Sequence, residues 1–281
     1  MTTARLRSAS LIMPALIFIA ALFLAPVVQI LAGSFVQVHS GGWTLTAGLY
    51  EAFFADAYSW GLLERTLRIS AITTLACLVM AFPVALLMRR LSSTQRTVLA
   101  ILLLSPLLTS VVVRTLAWVI LLGPVGLINK TLGVLGIAPV ALMYNDVGVI
   151  IGLTHVFFGY MLLAITASML KLDERLVLAA INLGASRWQV LRTIIFPLCL
   201  PGVLSGSVLV FTMSASAYIV PVLLGGTATK VMATEVYDLA INYLEWKEAA
   251  VVAAVLFVTV WLIVAAVTRL AARHERIGEG G

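Results

Sequence analysis

The sequence is poor in charged residues and has only two cysteines. Charged side chains make up 11% of its 281 residues, whereas about a quarter is usual in soluble domains. Hydrophobic residues make up 62% and are spread from end to end, which excludes a water-soluble surface and predicts one transmembrane domain over residues 1–281. Because Cys77 and Cys199 both fall inside apolar stretches, a disulfide framework is also excluded.

The patterns that carry catalysis are missing as well. The chain contains no Gly-x-x-x-x-Gly-Lys-Ser/Thr phosphate loop, no paired carboxylates and no Gly-x-Ser-x-Gly motif. Its three histidines, His39, His155 and His274, lie far apart. The net charge of +6 is not gathered into a run, so a nucleic-acid partner is not expected. We therefore expect no catalytic residue, no metal site and no cofactor bound to this chain.

Long apolar runs dominate what is present. A membrane-spanning helix needs about 20 mainly apolar residues. Six windows of the sequence qualify, at about 10–33, 67–88, 97–122, 147–169, 198–222 and 249–268. The prediction is an all-α, polytopic membrane protein with about six transmembrane helices. An even number of spans places both termini on the same side of the membrane.

Lysine and arginine are divided unequally between the two sets of connecting segments, which indicates the orientation. One set holds twelve of the eighteen cations, and cytoplasmic loops are the ones enriched in Lys and Arg. Both termini are therefore predicted to be cytoplasmic. The twelve are Arg5, Arg7, Arg89, Arg90, Arg96, Lys171, Arg175, Arg187, Arg192, Arg269, Arg273 and Arg276.

The outer loop between the first two windows is rich in aromatic rings, with six of them between Phe35 and Thr66. Such a density is typical of a segment lying at the lipid headgroups. We expect a helix there that anchors the chain, with ligand contact as the alternative.

The longest inner loop, residues 171–197, is patterned as two short helices that meet at a corner. Leu176, Ala179, Ala180 and Leu183 follow the i, i+3, i+4, i+7 spacing of one helical face. Gly184 can end this helix in the left-handed conformation, and Ser186 followed by Gln189 forms a capping box for a second helix. That helix is predicted to end at Pro197, and an interfacial helix under the headgroups is the alternative.

The stretch from Leu178 to Pro197 resembles the EAA loop of binding-protein-dependent, type I (MetI-like) ABC importer permeases. The pattern is Glu-Ala-Ala, three residues, Gly, nine residues, Ile, one residue, Leu-Pro. The residues that match in register are Ala179, Ala180, Gly184, Ile194 and Pro197. Leu178 replaces the usual Glu, and Phe196 replaces the usual Leu.

Three further stretches extend the resemblance over about residues 12–268. VRTLAWVILLGPVGLIN, GLTHVFFGYMLLAITASM and IVPVLLGG are similar to the polyamine-type permeases, and LLGPVGLIN favours the first of the two permeases that pair in a spermidine/putrescine transporter. The resemblance implies a MetI-like core and an inner-membrane location in a bacterium. It also implies that a corner of the 171–197 loop couples the chain to an ATPase, and the residues assigned to coupling are Ala179, Ala180, Asn182, Leu183, Gly184, Ala185, Ser186, Arg187 and Trp188.

The partners follow from the same resemblance. They are a second, homologous permease, two copies of a cytoplasmic ATP-binding subunit that would hold ATP and Mg, and a periplasmic solute-binding protein, in addition to membrane lipid. The expected function is ATP-driven import of polyamines or a related small charged organic solute.

The substrate is left open by the residues themselves. The six windows contain no Asp or Glu, although a polyamine cation would be expected to meet carboxylates. Arg114 is the one charge deep in a window, and it would favour an anionic or zwitterionic substrate such as an opine, an amino acid or a phosphonate. A structural pairing of Arg114 is the alternative. The candidates for the translocation path are Arg114, His155, Tyr160, Ser214, Ser216 and Tyr218.

Two other classes of function compete with the importer. A secondary transporter driven by an ion gradient usually shows an internal repeat and acidic groups at the bilayer midplane, and neither is found in the sequence. A membrane-embedded enzyme needs convergent catalytic groups within the spans, which the residue inventory does not supply.

Overall fold

A computed structural model describes residues 13–39 and 42–278 of the chain. The described part is mainly helical, and its only strands form one antiparallel hairpin, β1 (Val36–His39) with β2 (Gly42–Leu45). The helices, in chain order, are α1 Met13–Gly33, α2 Gly48–Ala55, α3 Ala57–Arg90, α4 Ser93–Leu104, α5 Val111–Leu122, α6 Leu127–Val134, α7 Asp146–Met169, α8 Glu174–Asn182, α9 Arg187–Val190, α10 Phe196–Ala215, α11 Met232–Tyr237 and α12 Trp246–Gly278.

Six stretches of the described residues are long and apolar enough to cross a membrane, as predicted. They are Met13–Gly33, Ala57–Arg90, Val111–Val134, Asp146–Met169, Arg187–Ala215 and Trp246–Arg269. The predicted number of spans and the helical fold class are confirmed. Two of the predicted windows, however, have the wrong boundaries.

The third window, 97–122, is not one helix. It is split between α4, which ends in a 3₁₀ turn at Ser105–Leu108, and α5, which begins at Val111. Pro106 has no amide hydrogen, and Thr109 is extended, with ψ near 143°. The span-length stretch is instead Val111–Val134, whereas Ser93–Leu108 is a shorter apolar helix.

The fifth window, 198–222, runs past the end of its helix. The helix stops at Ala215, and the chain then forms a π turn at Pro221–Gly225 and a 3₁₀ turn at Gly226–Thr229. Val220, Leu224 and Thr229 are buried. Irregular backbone at membrane depth is tolerated where it is buried in protein, and hydropathy cannot distinguish such a segment from a helix.

Helix α3 begins ten residues before the predicted window. Asp56 precedes its first residue, and the Asp56 carboxylate accepts hydrogen bonds from the Tyr58 amide, the Ser59 amide and the Ser59 hydroxyl, at 3.2, 3.1 and 2.8 Å. These bonds lower the pKa of the Asp56 carboxyl. At 1.5 Å per residue, the 34 residues of α3 measure about 51 Å, against about 30 Å of hydrocarbon. Part of the helix therefore projects beyond the hydrocarbon layer.

The aromatic outer loop forms the hairpin and α2 rather than a single headgroup helix. The rings of Phe35 and Tyr50 stack with their centroids 4.7 Å apart, and the Ser34 and Tyr50 hydroxyls lie 2.7 Å apart. Phe54 and Trp60 are also in contact, at 5.6 Å. These rings contact one another across short sequence separations. The predicted helix is thus limited to Gly48–Ala55.

The chain separates into two compact units. The smaller one takes the described residues up to Gly61 together with Glu235–Thr259. The larger takes Leu62–Thr234 and the described residues from Val260 onward. The prediction of one transmembrane domain over the whole chain stays a prediction.

Helix α7 is the centre of the larger unit. Its apolar window is 61% buried inside the chain, whereas the windows of the other five span-length stretches are at most 33% buried. Two contacts set its register with α3: Arg68 with Asp146, and the Cys77 thiol with the Thr154 carbonyl oxygen, at 3.5 Å. The offset of 77–78 residues is the same at both levels, so α3 and α7 run parallel.

Helices α7 and α10 pack closely in antiparallel orientation. Gly202 and Gly206 lie four residues apart on one face, and small residues at this spacing permit such an approach. A Cβ atom added at Gly202 would overlap the Ser168 side chain and the Ala164 carbonyl, and one at Gly206 would lie 2.8 Å from the Met161 sulfur. Extended along both helices, this register places Ser214 level with Thr154.

Candidate functional site

The elbow, defined here as residues 171–197, forms the predicted pair of helices. Asp173 precedes α8 and accepts a hydrogen bond from the Arg175 amide at 2.9 Å. At the other end, the Ala185 amide donates to the Ala180 carbonyl at 3.0 Å, which closes the helix in the manner of a Schellman motif. Gly184 has a φ of +86°, the left-handed conformation predicted for it. The corner lies at Ala185.

The second helix of the elbow starts with the predicted capping box. The Gln189 amide donates to the Ser186 hydroxyl at 3.3 Å, and the Ser186 amide donates to the Gln189 side-chain oxygen at 2.7 Å. Two orphan amides of the helix start are thereby satisfied. Every hydrogen bond that shapes the corner joins residues within five positions of each other.

Pro197 does not end this second helix, contrary to the prediction. The four residues of α9 continue through a π turn, Leu191–Ile195, into α10, so that Arg187–Ala215 is one uninterrupted helix. Pro197 occupies the first turn of α10, where its missing amide hydrogen costs little. The elbow is thus joined to a span-length helix without a loop.

The corner exposes large apolar side chains. Leu183 is 89% exposed and Trp188 is 69% exposed, which is unusual for residues of this size so close together. Seven of the nine residues assigned to coupling are exposed, and only Ala180 and Ala185 are half-buried. The exposed ones are Ala179, Asn182, Leu183, Gly184, Ser186, Arg187 and Trp188.

A second group of candidate residues lies inside the larger unit. Arg114, on α5, is 8% exposed, and neither its Nε nor its Nη1 atom has a hydrogen-bond partner among the described residues. Burying these two nitrogens without acceptors is costly, because both have lost their contact with water. A ligand or a residue of another chain would supply the missing acceptors.

Three buried hydroxyl groups share this lack of partners. The side-chain oxygens of Thr73, Thr154 and Ser214 accept and donate no hydrogen bond within the described chain. Ser214 is level with Thr154 by the packing of α10 against α7, and Thr73 lies one turn from Cys77, which contacts the Thr154 carbonyl. Together with Arg114 these three residues are called the polar layer below.

His155 connects the polar layer to an exposed helix face. Its ring contacts the Trp118 ring edge-on, with centroids 5.5 Å apart, and Arg114 lies one turn before Trp118 on α5. His155 is itself exposed, so it marks where the layer reaches the surface of the chain. Of the six path candidates, His155 thus lies beside the helix that carries Arg114, and Ser214 is level with Thr154, the neighbour of His155 in the chain.

The other three path candidates are Tyr160, Ser216 and Tyr218. Tyr160 is half-buried and its ring lies 6.4 Å from that of Phe157. The Ser216 hydroxyl donates to the Thr212 and Met213 carbonyls of its own helix, at 3.0 and 3.3 Å. Tyr218 is half-buried, beyond the end of α10.

The sequence analysis missed Thr73 and Thr154. Hydroxyl groups in helices usually donate a hydrogen bond to a carbonyl of the preceding turn, as Thr115 does here, so nothing in the sequence marks these two as unpartnered.

The start of α7 carries a cluster of charges that the sequence did not pair. Arg68 Nη2 lies 2.6 Å from Asp146 Oδ2, and Arg65 Nε lies 3.7 Å from Asp146 Oδ1. Glu64 lies inside α3, 3.8 Å from Arg68. Both acids near this end are thus already engaged with arginines.

The sequence is similar to a known family of transport proteins. Residues 69–276 match the family model "Binding-protein-dependent transport system inner membrane component". The chain is 31% identical over 210 residues to the spermidine/putrescine transport system permease protein PotB of Escherichia coli (strain K12), covering 74% of this chain and 76% of that protein.

Two solved structures have a similar fold. A bacterial ABC transporter involved in the import of the acidic polysaccharide alginate gives a TM-score of 0.81 at 18% identity, covering 96% of both chains. The MetNI methionine ABC transporter gives a TM-score of 0.58 at 17% identity, covering 78% of this chain and 98% of that one. The chain belongs to the family of binding-protein-dependent transport system inner membrane components and is the permease subunit of an ABC importer.

Proposed function

We propose that this permease imports polyamines, driven by ATP hydrolysis in a separate cytoplasmic subunit that docks on the elbow. The observation that carries the coupling role is the rigid corner at Gly184–Ser186, which presents Leu183 and Trp188 to solvent. An exposed apolar pair on a fully capped scaffold is typical of a protein-binding surface. The continuous helix Arg187–Ala215 would carry movement of the docked subunit into the membrane.

The assembly proposed around the chain has four further parts. They are a second homologous permease, two copies of an ATP-binding subunit and a periplasmic solute-binding protein. The distribution of Lys and Arg supports cytoplasmic termini and an elbow on the same side, so the ATP-binding subunits would meet the elbow from the cytoplasm. ATP and Mg would be bound by those subunits, since this chain has no phosphate loop.

The substrate class is supported by the relatives, whose names specify spermidine and putrescine. The polar layer would form part of the translocation path. Trp118 and Tyr160 offer aromatic faces to a passing cation. The acidic groups that a polyamine needs would come from the second permease, because Asp146 is engaged by two arginines.

An anionic or zwitterionic substrate is the second candidate, and Arg114 favours it. Its two unpartnered nitrogens would bind a carboxylate or phosphonate directly, and the same charge would repel a polyamine. Opines, amino acids and phosphonates all offer such groups.

Reconstitution of the complete importer distinguishes these substrates. The ATPase rate would be measured with the solute-binding protein loaded in turn with spermidine, an amino acid, an opine and a phosphonate. We expect spermidine to stimulate hydrolysis and the other ligands not to. Stimulation by an anionic ligand alone would replace the substrate class and keep the coupling role, whereas an ATP-binding subunit that does not associate with the chain would contradict the coupling role itself.

A further inference from the structure

A cavity of about 610 Å³ opens between the end of α3 and the elbow. Three arginines line it: Arg89 and Arg90 from the last turn of α3, and Arg187 from the first turn of α9. Glu174 is the only carboxylate in the lining, so the cavity carries an excess of two positive charges. All of these residues belong to the larger unit.

The described residues do not neutralise the three guanidinium groups. Within residues 13–39 and 42–278, Arg89, Arg90 and Arg187 form no ion pair, and none of them donates a hydrogen bond to a described side chain or carbonyl. Three like charges around one cavity repel each other. The arrangement therefore favours an anionic occupant.

The rest of the cavity wall is apolar. Its residues come from α3, α8 and the start of the helix that leads to α10, and they are Leu86, Val177, Leu178, Ile181, Trp188, Val190, Leu191 and Ile195. Leu178 stands at the position where the EAA pattern has Glu, so the wall lacks a carboxylate there. The cavity is thus cationic where α3 ends and apolar along most of the remaining wall. An amphiphile with a negatively charged headgroup fits such a lining.

The position of the arginines agrees with a membrane lipid. Arg89 and Arg90 are the last two residues of α3, a helix long enough to cross the bilayer, and cations that close a spanning helix lie at headgroup level. Basic pockets between helices at the cytoplasmic surface suit anionic lipid headgroups. The corner residues 182–186 do not line the cavity, whereas Arg187 and Trp188 border both the cavity and the surface assigned to coupling.

We propose that this cavity binds an anionic phospholipid of the inner leaflet, with its phosphate between Arg89, Arg90 and Arg187 and an acyl chain along the apolar wall. The site adjoins the elbow, and a bound lipid would brace α8 against the end of α3. The proposal concerns lipid binding and does not rest on the substrate or the coupling role given above.

Lipid binding to the intact importer tests this directly. The delipidated complex would be titrated with phosphatidylglycerol and with phosphatidylcholine of the same acyl chains, and bound lipid would be counted by native mass spectrometry. We expect phosphatidylglycerol to bind at least about tenfold more tightly, since each arginine near an anionic headgroup contributes appreciably. Arg89→Gln with Arg90→Gln should abolish this preference.

A charge-matched control separates the site from general electrostatics. Arg175→Gln with Arg192→Gln removes two exposed cations of the same elbow that do not line the cavity, and it should keep the preference. Equal loss in both double variants, or no loss in either, would overturn the proposal.

Arg89 and Arg90 could instead meet an acidic side chain of the ATP-binding subunit, and that outcome is distinguishable. The intact complex would then retain no phosphatidylglycerol preference, and the Arg89→Gln, Arg90→Gln variant would lose the ATP-binding subunit on purification. This result would also overturn the proposal. Co-purification of the full complex verifies that each variant has folded.

Discussion

The elbow and the polar layer differ in whether their polar groups have hydrogen-bond partners. At the elbow, the amides around Gly184 and Ser186 are bonded within a few residues along the chain, although water could have satisfied them. In the polar layer, Arg114, Thr154 and Ser214 are shielded from water and still lack partners. The contrast indicates that the elbow is complete as a folded unit, whereas the polar layer has hydrogen-bonding capacity that the described residues do not use.

Replacement of Gly184 should have the largest effect. Proline requires a φ near −65°, and Gly184 has +86°, so Gly184→Pro would unfold the corner at a cost of order 1–3 kcal/mol in local strain. We expect substrate-stimulated ATPase activity of the importer to fall at least about tenfold. Gly184→Asn should retain most of it, because Asn tolerates the left-handed conformation.

Gly133→Ala is the matched control for this corner, since Gly133 lies in α6 with no atom within 4 Å of an added Cβ. It should leave the stimulated rate unchanged. If Gly184→Pro also leaves the stimulated ATPase rate unchanged, the elbow is not the coupling element. Its capped corner then serves only to hold the fold of this loop.

The second prediction concerns Arg114. Arg114→Met removes a buried charge without partners, and such replacements are often neutral or stabilising, by about 1–4 kcal/mol. We expect the thermal midpoint of the detergent-purified chain to stay the same or rise, while substrate uptake by the complete importer falls about tenfold. Arg114→Lys should restore part of the uptake.

A lower midpoint of the isolated chain with Arg114→Met would contradict this interpretation. It would mean that the Arg114 guanidinium already has hydrogen-bond partners within the chain. The polar layer would then no longer differ from the elbow in this respect.

A smaller effect is expected from the capping box. Ser186→Ala removes an N-cap worth about 1 kcal/mol, so the Gln189 amide should exchange its hydrogen roughly fivefold faster. The same box occurs at the start of α4, where the Gln95 amide donates to Ser92 Oγ at 3.4 Å. Ser92→Ala should accelerate exchange at Gln95 by a similar factor. Only Ser186→Ala should lower the stimulated ATPase rate, and equal effects of both on that rate would remove the special role of the elbow.

The last prediction concerns folding stability alone and distinguishes satisfied from unsatisfied hydroxyl groups. Thr66 Oγ1 donates to the Leu62 carbonyl at 2.7 Å and accepts from the Met232 amide at 2.9 Å. Thr66→Val should lower the free energy of unfolding by about 1–3 kcal/mol, because the Met232 amide loses its acceptor. Thr154→Val leaves no partner behind and should change it by less than about 1 kcal/mol. Equal losses in the two variants, measured by thermal melting in detergent, would show that Thr154 is not an unsatisfied group.

The corner of the elbow could be predicted from the sequence, whereas the polar layer could be predicted only in part. The prediction of the corner depended on Gly184, Ser186 and Gln189, whose hydrogen bonds join residues within five positions of each other, and all three have the predicted conformation or capping bonds. The polar layer depends on which residues of α3, α7 and α10 are level with one another. Nothing in the sequence expresses the 77-residue offset between Cys77 and Thr154, so two members of the layer were missed.

The two wrong span boundaries have a related cause. Hydropathy reports how apolar a stretch is, and 109–110 and 216–218 lie within or beside apolar stretches without being helical. Pro106 and Pro221 mark both breaks. However, Pro83 and Pro201 lie inside uninterrupted helices, so proline alone does not decide where a membrane helix ends.

The helix Arg187–Ala215 connects the elbow to the interior of the larger unit without a loop. From Ile195 to Ser214 it extends about 28 Å at 1.5 Å per residue, and the close packing at Gly202 and Gly206 holds it against α7. Between Trp188 and the level of Thr154 and His155 the helix contains the π turn Leu191–Ile195 and Pro201, but it is not interrupted by a loop. If a partner subunit docks on the elbow as proposed, its movement would reach the interior as a displacement of α10, where groups without partners are sensitive to small changes in position.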